Sequence, residues 1–268
     1  MLPAQWQGQP IVLVPNAADA IHCNQCCFIM TTQALKGIEY TIAEAEQLTG
    51  FVAERPTWPH KMLLSLATLG CRVNSIERLN PQSFITNPQQ ELQRLFPDPD
   101  IHTEILRITD VALESQRLQE CLAQPNIQFS SRPPALIDIK TVLSSQGLAL
   151  ACVDFSQLHG TENYEGHMVL VTQLTDTMVE IYDPGPPARA AWQLPLEKFL
   201  QAWQSPSADY AQLIQVWPEP TENQLQFPTN RVYTGCSSPL TSGNLRLTQP
   251  LNCRAPSSST VKKTISLS

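Results

Sequence analysis

HCNQCCFIM, residues 22–30, places three cysteines within five positions, where the sequence predicts the start of a helix over Cys23–Leu35. The expected first turn is His22-Cys23-Asn24. A cysteine there meets backbone N–H groups and the positive end of the helix dipole. Both favour a thiolate, so the pKa falls and the sulfur becomes a nucleophile at neutral pH. The same N–H groups can hold a developing oxyanion. Two other uses of the cluster stay open. The cysteines could be small core residues, or Cys23 and Cys26 could form a CxxC redox pair or half a metal site. Zinc would need a second ligand pair, and no other CxxC, CxH or HxxxH pair occurs; a redox motif would want a βαβ context, which the sequence lacks.

A nucleophile needs a base. GHMVLVTQLTDTMVEIYDP, residues 166–184, contains His167, two β-branched and aromatic runs and Asp183. The runs predict a β-hairpin about the polar turn Leu174–Thr177. Folded about Thr175, the hairpin sets His167 opposite Asp183 on one face, with Cβ atoms ~5 Å apart. A carboxylate so placed fixes the imidazole tautomer and stabilises the imidazolium, as a catalytic base requires. The spacing fits equally well a polar cross-strand pair at a sheet end.

These groups must be positioned by the rest of the chain. Ile11–Val14 reads as a short strand ended by Pro15. Thr41–Leu48 reads as a helix with a Thr41/Glu44 capping box, and Pro59–Leu69 as another. Cys71–Ile76 reads as a strand. Residues 89–122 are the most helical part, with one long helix from Asp98 or Asp100 to about Cys121. A helix over Ala135–Ser144 precedes a central apolar strand, Gly147–Phe155. Ser156–Glu165 reads as a polar loop, Glu197–Trp203 as a short helix and Tyr210–Trp217 as the last strand. The fold class expected is α+β, with residues 1–218 as one domain. Residues 219–268 are rich in Ser, Thr, Asn, Gln and Pro and read as a disordered tail.

The chain is long enough to bury one good core. It is 42% hydrophobic and 15% charged, with a formal charge of −7, which argues against a general nucleic-acid surface. No apolar run is long enough for a membrane span, and no secretory signal opens the sequence, so a cytoplasmic location is expected. The eight cysteines then default to thiols. No Gly-rich phosphate cradle occurs, and no cofactor is implied. The oligomeric state is not readable.

HCNQCCFIM resembles the start of the nucleophile helix in the peptidase C39-like branch of the papain-like cysteine peptidases. GHMVLVTQLTDTMVEIYDPG resembles that family's His–strand–turn–strand–Asp-Pro segment. Weaker likenesses extend the resemblance over roughly residues 11–217, closest to free-standing bacterial members. The resemblance implies a papain-like fold, with the nucleophile helix packed on an antiparallel sheet. It implies Cys23 as nucleophile, His167 as base and Asp183 as orienter, in the family's chain order. Two positions depart from the pattern: Asn24 replaces the usual Gly after the nucleophile, and the usual oxyanion Gln is missing. Asn16, seven residues before Cys23, could supply an amide in its place. The function expected is a cysteine peptidase or amidase acting on a peptide or small amide through a thioester. An acyltransferase using the same thioester, and a papain-fold binding module without activity, are the alternatives.

Overall fold

The computed structural model describes residues 5–6, 9–17, 20–53, 55, 57–161, 164–218 and 266–267. The element order begins β1 (Gln5–Trp6), β2 (Gln9–Pro10), α1 (Cys23–Lys36), α2 (Ile42–Thr49), α3 (His60–Thr68) and β3 (Arg72–Glu77). Then come α4 (Pro81–Thr86), α5 (Pro88–Leu95), α6 (Pro99–Ile108), α7 (Val111–Leu122), β4 (Ile127–Ser131), α8 (Leu136–Ser144), β5 (Leu148–Asp154) and α9 (Phe155–His159). The order closes with β6 (Glu165–Leu174), β7 (Met178–Asp183), β8 (Arg189–Pro195), α10 (Leu196–Trp203), β9 (Gln212–Trp217) and β10 (Ser266–Leu267).

The fold is α+β. Strands β4-β3-β9-β5-β6-β7-β8 form one twisted path, and β10 pairs with β6 in parallel at Glu165 and Gly166. The sheet is mixed where an antiparallel one was expected, because β3 and β4 run parallel. The crossover through α4–α7 makes that possible, since a parallel pair needs a long connection. The expected tail falls at 219–265 outside the described residues.

Both faces of the sheet are covered, which is why β5 reads as an unbroken apolar run. Leu148 and Leu150 face a cluster with Phe28, Met30, Leu63 and Leu66 of α1 and α3. Ala149, Ala151 and Val153 face Ile139, Val142, Phe199 and Trp203 of α8 and α10. A third cluster, Leu79, Phe84, Leu92, Ile105 and Leu118, is built by the α4–α7 crossover.

Several expected elements differ. Ile11–Val14 is not a strand; Ile11 is 2% exposed and packs by its side chain on the α1 cluster without joining the sheet. The long helix breaks at Thr109–Asp110. Thr109 is extended, and the Asp110 carboxylate accepts from Leu113 N, so a cap interrupts the helix that the apolar period continues through. The Thr41/Glu44 capping box is present, with both reciprocal bonds.

The hairpin is two-stranded as expected, but its register is not. Leu174 pairs with Val179, so the turn centres between Asp176 and Thr177 instead of on Thr175. That register alone would set Asp183 on the opposite face from His167. A bulge lies between Val171 and Gln173, and beyond it Val171 pairs with Ile181 and Leu170 with Tyr182. Continued by one pair, this puts Asp183 beside Val169, two residues from His167 and therefore on the same face. The bulged residue, Thr172, is buried and donates its hydroxyl to Glu180 Oε1 at 2.7 Å. Deleting Thr172 lets Gln173–Glu180 run straight on to Val171–Ile181, so Asp183 is expected to stay on the His167 face, while loss of the buried Thr172–Glu180 bond lowers Tm. An NMR titration in which the His167–Asp183 coupling is lost would show that the hairpin does not hold this register.

Candidate active site

α1 begins at Cys23, after His22, whose side chain does not cap the helix and instead bonds Glu46 Oε1 at 2.8 Å. One turn later, Cys27 Sγ contacts Met168 O at 3.3 Å, which holds the start of α1 over the start of β6. Cys23 is 1% exposed and hydrogen-bonds through its sulfur to the His167 side chain. His167 Nε2 lies 2.7 Å from Asp183 Oδ1, so Nδ1 is the nitrogen left to face the thiol. The structure thus brings together Cys23, His167 and Asp183, from elements up to 160 residues apart (183 − 23).

Asp183 has further partners. Gly185 N donates to Oδ1 at 2.8 Å, and His159 Nε2 lies 2.7 Å from Oδ2. The carboxylate, 0% exposed, therefore sits between two imidazoles. Phe155 stacks on His159 at 4.2 Å and meets His167 edge-on at 5.2 Å, fixing both rings. Gly185 has a φ of 73°, and a Cβ there would lie 2.2 Å from Ala188 N, so only glycine makes this donor turn.

The sequence reading placed His159 in a polar loop. The signal was present: Asp154 caps α9 by accepting from Ser156 N, and Gly160 closes it in the left-handed conformation. Asp and Gly six residues apart mark a one-turn helix. Its last residue is His159.

Asn16 does not line the cavity beside Cys23. Its Nδ2 donates to Gly185 O at 3.2 Å, its Oδ1 accepts from His22 N at 2.8 Å, and its own N donates to Pro184 O at 2.8 Å. The expectation of an oxyanion donor is corrected: the amide is spent on two backbone groups, and Asn16 ties the loop before Cys23 to the turn after Asp183. Gln25 also points elsewhere, donating to Thr49 Oγ1 at 2.7 Å.

The electrostatics separate one thiol from the rest. Burial opposes ionisation of Cys23. The His167 bond, the imidazolium charge and bonds to the backbone of Met168 and Asn24 outweigh burial, and the pKa falls. Burial pushes Cys26 up to about 12, with the Cys23 charge adding to it. Cys27 is raised by the same causes, and burial takes Cys152 to about 12. Burial would lower the His167 pKa, but the bonds and charges of Asp183 and Cys23 raise it to about 9. Burial would raise Asp183, but His159, His167 and the Gly185 N–H hold its carboxyl well below the usual range. The His167 contribution to stability is complete below its ordinary pKa of 6.5 and lost as pH rises through about 9. The Asp183 contribution is present above the ordinary carboxylate pKa and lost as pH falls below it.

Cys23 and His167 line a cavity of about 230 Å³. Among the described residues, no group of three His, Cys, Asp or Glu side chains is arranged to hold a metal ion, and no helix is long and apolar enough to cross a membrane.

No family model matches the sequence, and neither does any curated protein. Among solved structures, the chain is similar to the peptidase domain of Streptococcus ComA, a bifunctional ABC transporter involved in a quorum-sensing pathway. The likeness covers 78% of this chain and 98% of that one, at 13% identity and a TM-score of 0.41.

Iodoacetamide in mildly acidic buffer is expected to alkylate Cys23 well before Cys26, Cys27 or Cys152. Peptide mass spectrometry reads this directly. In His167→Ala the advantage of Cys23 should disappear; equal labelling of all four thiols in the native protein would contradict the activated-thiol assignment.

Proposed function

We propose that this chain is a cysteine amide hydrolase, of the peptidase C39-like kind its motifs resemble. The observation that carries the reading is the continuous bonded line Cys23–His167–Asp183, in which the thiol pKa is lowered and the imidazole pKa raised to about 9. Between those two values the pair exists as thiolate and imidazolium, the state that attacks an acyl carbon without waiting for a proton transfer.

In the proposed reaction, Cys23 Sγ adds to the carbonyl carbon. Negative charge on the carbonyl oxygen develops at the first turn of α1, where backbone N–H groups and the helix dipole favour an anion. This first turn takes the place of Asn16 in the oxyanion role. His167 gives its proton to the leaving amine as the C–N bond breaks, and Asp183 keeps the ring in the orientation that serves both steps. Water then resolves the thioester, with His167 as base.

His159 supports the reading from behind. It does not line the cavity, so it is a positioning residue: its bond to Oδ2 leaves Oδ1 for His167. Holding the carboxylate from both sides fixes its plane, and with it the direction of the imidazole.

Hydrolysis of an amide probe should follow a bell-shaped pH profile. The acid limb should report the lowered thiol pKa, and the alkaline limb should fall near the His167 value of about 9, as the proton for the leaving group is lost. Cys23→Ala should abolish turnover, and Asp183→Asn should lower kcat on the order of 10²–10⁴-fold. Steady-state kinetics on the three proteins decide it; turnover that survives in Cys23→Ala would overturn the assignment.

A further inference from the structure

We infer that the cavity beside Cys23 selects the acyl half of the substrate, and that this half is a peptide residue with a large apolar side chain. The inference rests on the amide-hydrolase reading and adds the substrate class to it.

The first support is the wall. Trp58, Leu79, Phe96, Ile101, Ile105 and Met168 line the cavity together with Cys23 and His167. Most of these side chains belong to, or pack on, the third core cluster, the one built by the crossover between β3 and β4. That crossover contributes nothing to the triad. It brings an apolar surface up to the nucleophile, so an acyl group bonded to Sγ extends against it.

The second support is size. An apolar cavity of ~150 Å³ holds a benzene ring. The cavity here, about 230 Å³, takes an aromatic or leucine-sized side chain with the backbone atoms beside it. A glycyl group would leave the apolar walls uncovered and forgo their burial.

The third support distinguishes a peptide from a plain alkyl chain. Asn24, directly after Cys23, lines the same cavity. Its Nδ2 donates to Thr57 O at 3.1 Å, while its Oδ1 is buried with no partner among the described residues. A buried acceptor without a donor is costly; Oδ1 has no open surface as it stands, so a ligand N–H would reach it as the Asn24 side chain turns toward the cavity, and that pairing is favoured. The residue whose carbonyl is attacked carries such an N–H on its own backbone; a fatty acyl chain has none.

The step balances within the proposed mechanism. The S–C bond forms at the carbonyl of the apolar residue, the C–N bond breaks, and the amine leaves with the His167 proton. Water then adds to the thioester carbonyl, gives one proton to His167, and the S–C bond breaks to release the carboxylic acid and the Cys23 thiolate, restoring the thiolate–imidazolium pair.

The test uses the full chain and three coumarin amides: N-acetylglycyl, N-acetylphenylalanyl and octanoyl. Rates and the acyl-enzyme mass are both read. The expected kcat/KM for the phenylalanyl probe exceeds that for the glycyl probe by at least about tenfold, the usual discrimination of a hydrophobic pocket. Ile101→Trp, or, should that variant not fold, Leu95→Phe at another residue lining the cavity, should bring that ratio towards one, with near-UV circular dichroism checking the fold. Asn24→Ala should lower the phenylalanyl-to-octanoyl ratio. A glycyl rate equal to the phenylalanyl rate, or an unchanged ratio in a folded filling variant, overturns the inference. A faster octanoyl probe overturns the peptide assignment. If no probe acylates Cys23 while iodoacetamide still labels it rapidly, the substrate class is wrong and the activated thiol stands; if neither reagent reacts, the enzyme reading itself has failed.

Discussion

A carboxylate with no exposure to solvent is tolerable only if its lone pairs are taken up. Asp183 meets that demand with two imidazoles and a backbone N–H, and much of the surrounding structure can be understood as supplying them. The one-turn α9 exists at the place where His159 can reach Oδ2. Gly185 turns left-handed so that its N–H returns to Oδ1. The Thr172 bulge restores the parity that puts His167 on the same face. Phe155 presses on both rings and leaves neither free to turn. α1 then delivers the Cys23 thiol to the remaining imidazole nitrogen.

On the proposed reading, recognition and chemistry are divided between different parts of the chain. The triad belongs to α1 and the β6–β7 hairpin. The cavity beside Cys23 is walled by residues of the α4–α7 crossover and by Trp58, whose indole donates to Thr109 Oγ1 at 3.3 Å, at the break between α6 and α7. The break therefore has a structural use: it folds the crossover back against the cavity, where a single straight helix would run past it. A separate hydrophobic cluster under the crossover gives the cavity wall its own support.

The sequence made the three residues that meet at the candidate site legible because each stood at a position with a strong local signal. Cys23 opens a helix, and His167 and Asp183 flank a hairpin of β-branched residues. The α+β class followed from the same periodicities. What was not legible depended on context. The hairpin register turned on one unpaired residue, and no local pattern distinguishes Thr172 from its neighbours. β8 was missed because Arg-Ala-Ala-Trp-Gln-Leu-Pro has little β propensity; it is a strand because β7 offers it an edge. The parallel β3–β4 pair could not be foreseen from elements read one at a time. Asn16 was given a role by its distance from Cys23 along the chain, while its three bonds, two of them to the turn after Asp183, gave it another.

Those bonds have a bearing on how the protein is made. They join the segment before the nucleophile to one synthesised much later, and no nearer stretch of chain supplies an imidazole to Cys23. With 160 residues between Cys23 and Asp183, translation at ~5–20 residues per second separates their emergence by roughly 8 to 30 seconds. Throughout that interval Cys23 is an ordinary protonated thiol, without base, orienter or closed loop. On the proposed reading, the nascent chain thus carries its nucleophile in an inert form, and reactivity arrives when the hairpin closes.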